Sequence, residues 1–217
     1  MAGLHIACEQ GRKETVEYLL TLPQIQVNQG DVYESAPLHL ACESGREEIV
    51  KILLKNERVD VNQSDRDGQT PLLVACKDGR DEIVKILMKQ GRGVDVNQED
   101  QSGSTPLWIA CFVGSEEVVK ILLASGRGID VNKKPIRGQF VNLAAARIAK
   151  KKGCPQIVEL IDEYERNPKE VMLRIRRELS KIPSFFPSFF SLIFSHFPDL
   201  FFLFHFLILS RMGNHIS

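Results

Sequence analysis

No excess of charge of either sign marks this sequence: 28 lysines and arginines stand against 28 aspartates and glutamates in 217 residues. That removes the bulk electrostatic case for nucleic acid as a partner. No C-x-x-C occurs among the five cysteines at 8, 42, 76, 111 and 154, and an odd count does not close a disulfide framework. No apolar leader opens the chain, since Met1-Ala2-Gly3 runs directly into patterned sequence, so the expected setting is reducing and cytoplasmic or nuclear. Neither G-x-x-x-x-G-K-[ST] nor G-x-G-x-x-G is present. The Gly-Arg-Gly stretches at 91–93 and 126–128 follow no strand and read as loops with a solvated arginine. No nucleophile–base pair recurs either. The expectation is a chain that is not an enzyme and needs no cofactor or metal.

Composition divides the chain in two. From Pro183 to Ser217 the only formally charged side chains are Asp199 and Arg211, and ten of the twelve phenylalanines lie there. The expected organisation is a folded domain over residues 1–182 and a Phe-rich apolar tail over 183–217.

Within the first part, self-similarity dominates. Ala-Cys recurs at 7–8, 41–42, 75–76 and 110–111, in steps of 34, 34 and 35. Gly11, Gly45, Gly79 and Gly114 follow each alanine by four residues, and Asn28, Asn62, Asn97 and Asn132 end each unit. Between them stands a recurring block: Glu48 to Leu54, Glu82 to Met88 and Glu117 to Leu123. A period near 34 means stacked supersecondary units.

One unit explains itself. Thr70-Pro71 starts a helix, because proline fixes φ and gives up an N–H that the first turn leaves unpaired. Leu72, Val74, Ala75 and Cys76 make that helix slim and apolar, and Gly79 ends it through a positive φ. A second helix over 81–89 puts Ile83, Val84, Ile86 and Leu87 on one stripe and Glu82 and Lys85 outside. Gly91-Arg92-Gly93 breaks it, and a turn at Asp100 to Gly103 leads onward. Such a unit cannot bury its own apolar face, so its neighbours must.

These residues resemble the ankyrin repeat, whose D-x-x-G-x-T-P-L-x-x-A, glycine, I-V-x-x-L-L and D-V-N pattern is clearest over Asp65 to Asn97 and Asp100 to Asn132. The resemblance covers residues 3 to about 165. It implies an all-α solenoid of about five helix-turn-helix repeats with β-turn fingers. Repeat one lacks the turn and the Thr-Pro. In repeat five, Gly138 to Ala149 takes eleven residues where Gly103 to Ala110 takes seven, which places a four-residue insertion within Gln139 to Ala146. Asn167-Pro168-Lys169-Glu170 reads as N-cap, N1 proline and capping-box glutamate, opening a C-terminal capping helix to about Lys181 with Val171, Ile175 and Leu179 on one face.

The repeated cysteines share one helix position. At about 10 Å per helix layer they are too far apart to share a zinc ion, so they read as small buried residues. His5 and His39 share their slot with Leu73 and Trp108, which makes it a packing slot. The four asparagines match the position at which ankyrin repeats can be hydroxylated, and we read them instead as serving the turn by side-chain to backbone bonds.

The family binds proteins along its fingers and first helices, on a concave face. Carried over by position, the candidates are Val32, Tyr33 and Ser35 in one turn, Arg66, Asp67 and Gln69 in the next, and Gln101, Ser102 and Ser104 in the third. The first helices add Glu43 with Ser44, Lys77 with Asp78, and Phe112 with Val113. Phe112 aligns with Glu43 and Lys77, so its ring is expected in solvent, and a role as partner anchor stands level with local packing. Trp108 is a further candidate, with inter-repeat packing favoured. The function expected is a scaffold, acting as a monomer and binding another protein.

Two alternatives stand beside it. One is the recognition part of a larger enzyme, suggested by the missing half of repeat one. The other is an adaptor held at a membrane by Phe185 to Leu209, a run long enough to cross a bilayer and preceded by Arg174, Arg176, Arg177 and Lys181. Against insertion stand Pro187, Pro198 and Asp199, an aspartate costing roughly 2.5–3.5 kcal/mol mid-span. The Ser-Phe-Phe echo at 184–186 and 188–190 also reads as translated non-coding sequence. Membrane fractionation with and without residues 183–217 separates these readings. The full chain is expected in the supernatant, and alkali-resistant pelleting that depends on the tail would establish the anchor.

Overall fold

The computed structural model describes residues 3–180, and Met1–Arg176 form one compact unit. The expectations for the Phe-rich tail therefore lie outside the described residues. Eleven helices are described: α1 (Gly3–Gln10), α2 (Lys13–Thr21), α3 (Pro37–Glu43), α4 (Glu47–Lys55), α5 (Pro71–Lys77), α6 (Asp81–Gln90), α7 (Pro106–Val113), α8 (Glu116–Ala124), α9 (Ala145–Lys151), α10 (Pro155–Arg166) and α11 (Pro168–Leu179). There is no strand among the described residues. The odd-numbered helices α1 to α9 pack in succession as an inner row, and α2 to α10 form an outer row behind them.

The inner helices α5 and α7 are short because each is closed at both ends. Thr70 and Thr105 accept the N–H groups of Leu73 and Trp108, both at 3.3 Å, and Pro71 and Pro106 follow at N1. Gly79 and Gly114 then turn the chain at φ 63° and 82°. Between these stops lie Leu38, Leu72 and Leu107, each at most 1 % exposed. Fully burying a leucine contributes about 1.5–3 kcal/mol, and a unit this thin relies on its neighbours for part of that cover. Cys8, Cys42, Cys76 and Cys111 are buried in the same layer. Burial pushes the Cys8 thiol up to about 12 and the other three further in the same direction, so all stay protonated and unreactive.

Directional bonds join each repeat to the next, and several differ from the sequence expectation. The asparagines do not serve their own turns. Asn28 donates Nδ2–H to Arg58 O at 2.7 Å and accepts from Asp60 N at 2.9 Å. Asn62 does the same with Gly93 O and Asp95 N, and Asn97 with Gly128 O and Asp130 N. The local turn is made by aspartate: Asp60, Asp95 and Asp130 accept the backbone N–H of Asn62, Asn97 and Asn132.

The slot read as simple packing also carries a bond. His39, 2 % exposed, accepts from Ala36 N through Nδ1 and donates through Nε2 to Gln69 O in the next repeat, both at 3.0 Å. Its ring thus holds the N–H of the N-cap residue, a different group from the N–H three residues on that Thr70 and Thr105 hold in the next two repeats. Trp108 donates Nε1–H to Leu143 O at 2.7 Å, the equivalent carbonyl one residue before the N-cap of the following inner helix. Leu73 fills the same slot without a donor. Arg127, expected to be solvated, is half-buried and donates to the carbonyls of Met88, Gly91 and Val94, where it closes the end of α6. Arg92 is exposed and pairs with Glu57 at 3.3 Å.

In repeat five the four extra residues fall in the loop before α9, so the helix keeps its place against α7. In α11 the expected cap forms: Asn167 donates to Glu170 Oε2 at 2.7 Å and accepts from Glu170 N at 3.4 Å. Val171 and Ile175 are buried, and Arg176 donates to Ala124 O at 2.7 Å.

Two outcomes follow. Asn62→Ala strips two bonds from one inter-repeat seam and is expected to cost about 1–2 kcal/mol in urea unfolding, since water reaches the site. His39 is held below its ordinary pKa of 6.5, chiefly by burial. The unfolded chain therefore binds the proton more readily, so the stabilisation is complete above about pH 6.5 and is lost as pH falls below it. His39→Leu is expected to flatten the melting temperature between pH 7 and pH 5, relative to the native chain.

Candidate functional site

The turns between repeats are built on one plan. Asp31 Oδ1 accepts the N–H groups of Tyr33 (2.8 Å) and Ser35 (3.0 Å). Asp65 takes those of Asp67 and Gln69, and Asp100 those of Ser102 and Ser104. An aspartate at the first position of a tight turn does this because its short side chain reaches the amides two and four residues on. Successive turns are also tied backbone to backbone. Arg66 N donates to Tyr33 O at 2.9 Å, Gln101 N to Asp67 O at 3.0 Å, and Ile136 N to Ser102 O at 2.8 Å. The four fingers thus form a ladder whose rungs are main chain, which leaves the tip side chains free to differ.

One finger is strained. Gly68, Gly103 and Gly138 take φ of 79° to 89°, and Glu34 stands at the matching place with φ 64°. A non-glycine residue there costs about 1 kcal/mol.

The structure brings several predicted residues together. The Tyr33 ring lies under the Arg66 guanidinium at 6.0 Å, and Arg66 also donates to Val32 O. Gln101 donates Nε2–H to Arg66 O, so Val32, Tyr33, Arg66 and Gln101 make one continuous edge. Val32 and Tyr33 are 71 % and 65 % exposed, and Asp67 is exposed beside them. Lys77, at the end of α5, reaches Gln69 Oε1 at 3.4 Å and couples the inner-helix end to the finger. Glu43 is exposed, and its carbonyl accepts from Arg80 at 2.9 Å.

Other candidates sit differently. Ser35 and Ser102 are half-buried, with their backbone N–H groups bound to aspartate. Ser104 and Trp108 lie inside the array at 4 % and 6 % exposed. In this conformation they present almost no surface. Phe112 is half-buried, not the solvent-exposed ring expected from its alignment with Glu43 and Lys77. It stacks on Trp108 at 5.4 Å and meets Phe140 at 5.5 Å. The lengthened loop of repeat five is what carries Phe140 into that place.

Sequence reasoning passed over residues that the fold sets in the same surface. Ile136, exposed, is the tip of the last finger. Lys151 and Lys152 occupy the inner-helix end in repeat five, with Lys152 Nζ 3.9 Å from the Phe112 ring centre and Lys151 Nζ 4.8 Å from that of Phe140. A signal for them existed: Gly153 follows Ala149 by four residues, the offset of the other repeats, which aligns Lys151 with Glu43, Lys77 and Phe112.

Among the described residues, no three His, Cys, Asp or Glu side chains gather closely enough to hold a metal ion.

Comparison with known proteins fits this architecture. The family model for ankyrin repeats matches residues 1–65 and 57–135, in three copies, and so spans more than half of the chain. No curated protein matches the sequence. Helix pairs stacked in two rows, fingers joined rung to rung and the family match agree: this chain belongs to the ankyrin repeat family.

Proposed function

We propose that the chain is a protein-interaction module, without catalytic activity, that takes a partner along its finger edge and inner-helix ends. Ankyrin repeats are generally interaction modules and typically non-catalytic. The observation that carries the reading is the finger ladder. Three aspartate-centred turns present Val32 and Tyr33, then Arg66 and Asp67, then Gln101, and a fourth finger built without an aspartate ends the row at Ile136. A frame held by main chain with varied side chains at its rim is the arrangement in which specificity changes without refolding the scaffold. Tyr33 and Arg66 are the residue types that most often dominate binding energy when a partner covers them.

A second reading places the same surface at a membrane, supported by the apolar run over 185–209 and the basic residues before it. Among the described residues no helix is long and apolar enough to cross a membrane.

The test is affinity capture by the tagged full chain, with bound proteins identified by mass spectrometry. Tyr33→Ala combined with Arg66→Ala is expected to reduce recovery of the specific partner by about tenfold or more, the scale of one or two hot-spot contacts. Glu82→Ala on the outer row serves as the control and is expected to leave recovery unchanged. Equal recovery by the finger variant, with its melting temperature preserved, would remove the finger edge as the binding surface.

A further inference from the structure

Charge along the inner-helix ends is not uniform. One register, read from repeat one to repeat five, runs Glu9, Glu43, Lys77, Phe112, Lys151, and the next runs Gln10, Ser44, Asp78, Val113, Lys152. Because α1, α3, α5, α7 and α9 pack in that order, these side chains succeed one another along a single row. The row is acidic at one end and basic at the other. The basic end belongs to a longer stretch: between Asp130 and Glu159 stand seven lysines and arginines and no acidic residue. Of the seven only Lys133 pairs with a carboxylate among the described residues, Glu99 at 2.8 Å. The rest have no such neutralisation. Lys150, Lys151, Lys152 and Arg147 are all exposed.

These cations surround an apolar floor. Lys152 and Lys151 lie over the faces of Phe112 and Phe140, whose rings are themselves in contact. A ring face attracts an ammonium group but accepts none of its three N–H donors as a carboxylate does. Arg147 stands four residues before Lys151, and so on the same face of α9. Half-buried rings with unpaired cations at their margin offer a binding group both apolar contact and charge.

We propose that this end of the row is a receptor for acidic protein segments: clustered aspartate or glutamate pairs with Lys151, Lys152 and Arg147, while an apolar side chain rests against Phe112 and Phe140. The proposal rests on the reading of the chain as an interaction module and names the chemistry of the partner. Charge complementarity selects acid. The change of sign along the row selects a short acidic cluster over an extended polyanion such as a nucleic acid, which would meet Asp78, Glu43 and Glu9 if it continued along the row. A partner is also oriented by it, with its acidic part at repeat five.

The experiment uses the full chain and fluorescence anisotropy with three labelled probes: a short peptide of glutamates around two leucines, the same peptide with lysine for glutamate, and a short oligothymidylate. The acidic peptide is expected to bind, and to bind less tightly as salt rises. In K151E/K152E its affinity is expected to fall about tenfold or more, with K151Q/K152Q intermediate. Unchanged helical circular dichroism in both variants confirms that charge, not folding, is read. Undiminished binding of the acidic peptide by the charge-reversed chain, or equal or tighter binding of the lysine peptide or oligothymidylate by the native chain, overturns the proposal. So does absence of binding by the acidic peptide. Should the finger variant described above still lose its partner in that case, the interaction reading stands and only the acidic chemistry is withdrawn.

Discussion

Everything in this structure depends on a thin unit that cannot shelter itself. A helix of seven or eight residues facing one of nine or ten has apolar groups on more sides than the pair can cover, so the burial of Leu38, Leu72 and Leu107 depends on the stacking of neighbouring pairs. Burial of this kind is strong but not directional. Register comes from the bonds that run between units: two from each asparagine at 28, 62 and 97, one from His39, one from Trp108, and the backbone rungs between fingers. The apolar layer supplies cohesion, and the polar ladders determine which residue faces which.

The surface follows from that division. Side chains spent on cohesion or register are buried or tied: Trp108 and Ser104 inside the array, Asp31, Asp65 and Asp100 occupied by backbone N–H groups. Those left over at the fingers and inner-helix ends are free to vary, and they change from Tyr33 with Arg66 at one finger pair to Lys151 with Phe140 at the last inner helix. Variation is confined to places where it disturbs neither ladder.

Much of the fold was legible because its determinants are local and repeated. Thr70-Pro71, the alanine–glycine spacing and the Ile-Val-Lys-Ile-Leu block each encode a helix boundary or an apolar stripe within a few residues. The misreadings share one physical cause, a partner about 30 residues away. Asn62 was assigned to its own turn, yet its amide reaches Gly93 and Asp95. His39 was read as packing because its slot also admits Leu73, which hid the N–H donor that it has in common with Trp108. Arg127 read as solvated because nothing near it in sequence shows the three carbonyls it meets. Phe112 was placed in solvent because the insertion in repeat five puts Phe140 out of phase with the repeat, and no periodic argument could foresee where that ring lands.

The reach of the asparagine clamp has one more implication. The side chains of Asn28, Asn62 and Asn97 each bond to the loop of the unit that follows, and every such loop offers a glycine or arginine carbonyl and an aspartate amide in the same arrangement. Excising one whole unit would bring Asn28 against the loop of Gly93 and Asp95, groups of the same kind as it already holds. The seam accepts modular exchange. Gene-level recombination in steps of a full period can therefore shorten or lengthen the array and reorder its rim while each junction stays chemically equivalent.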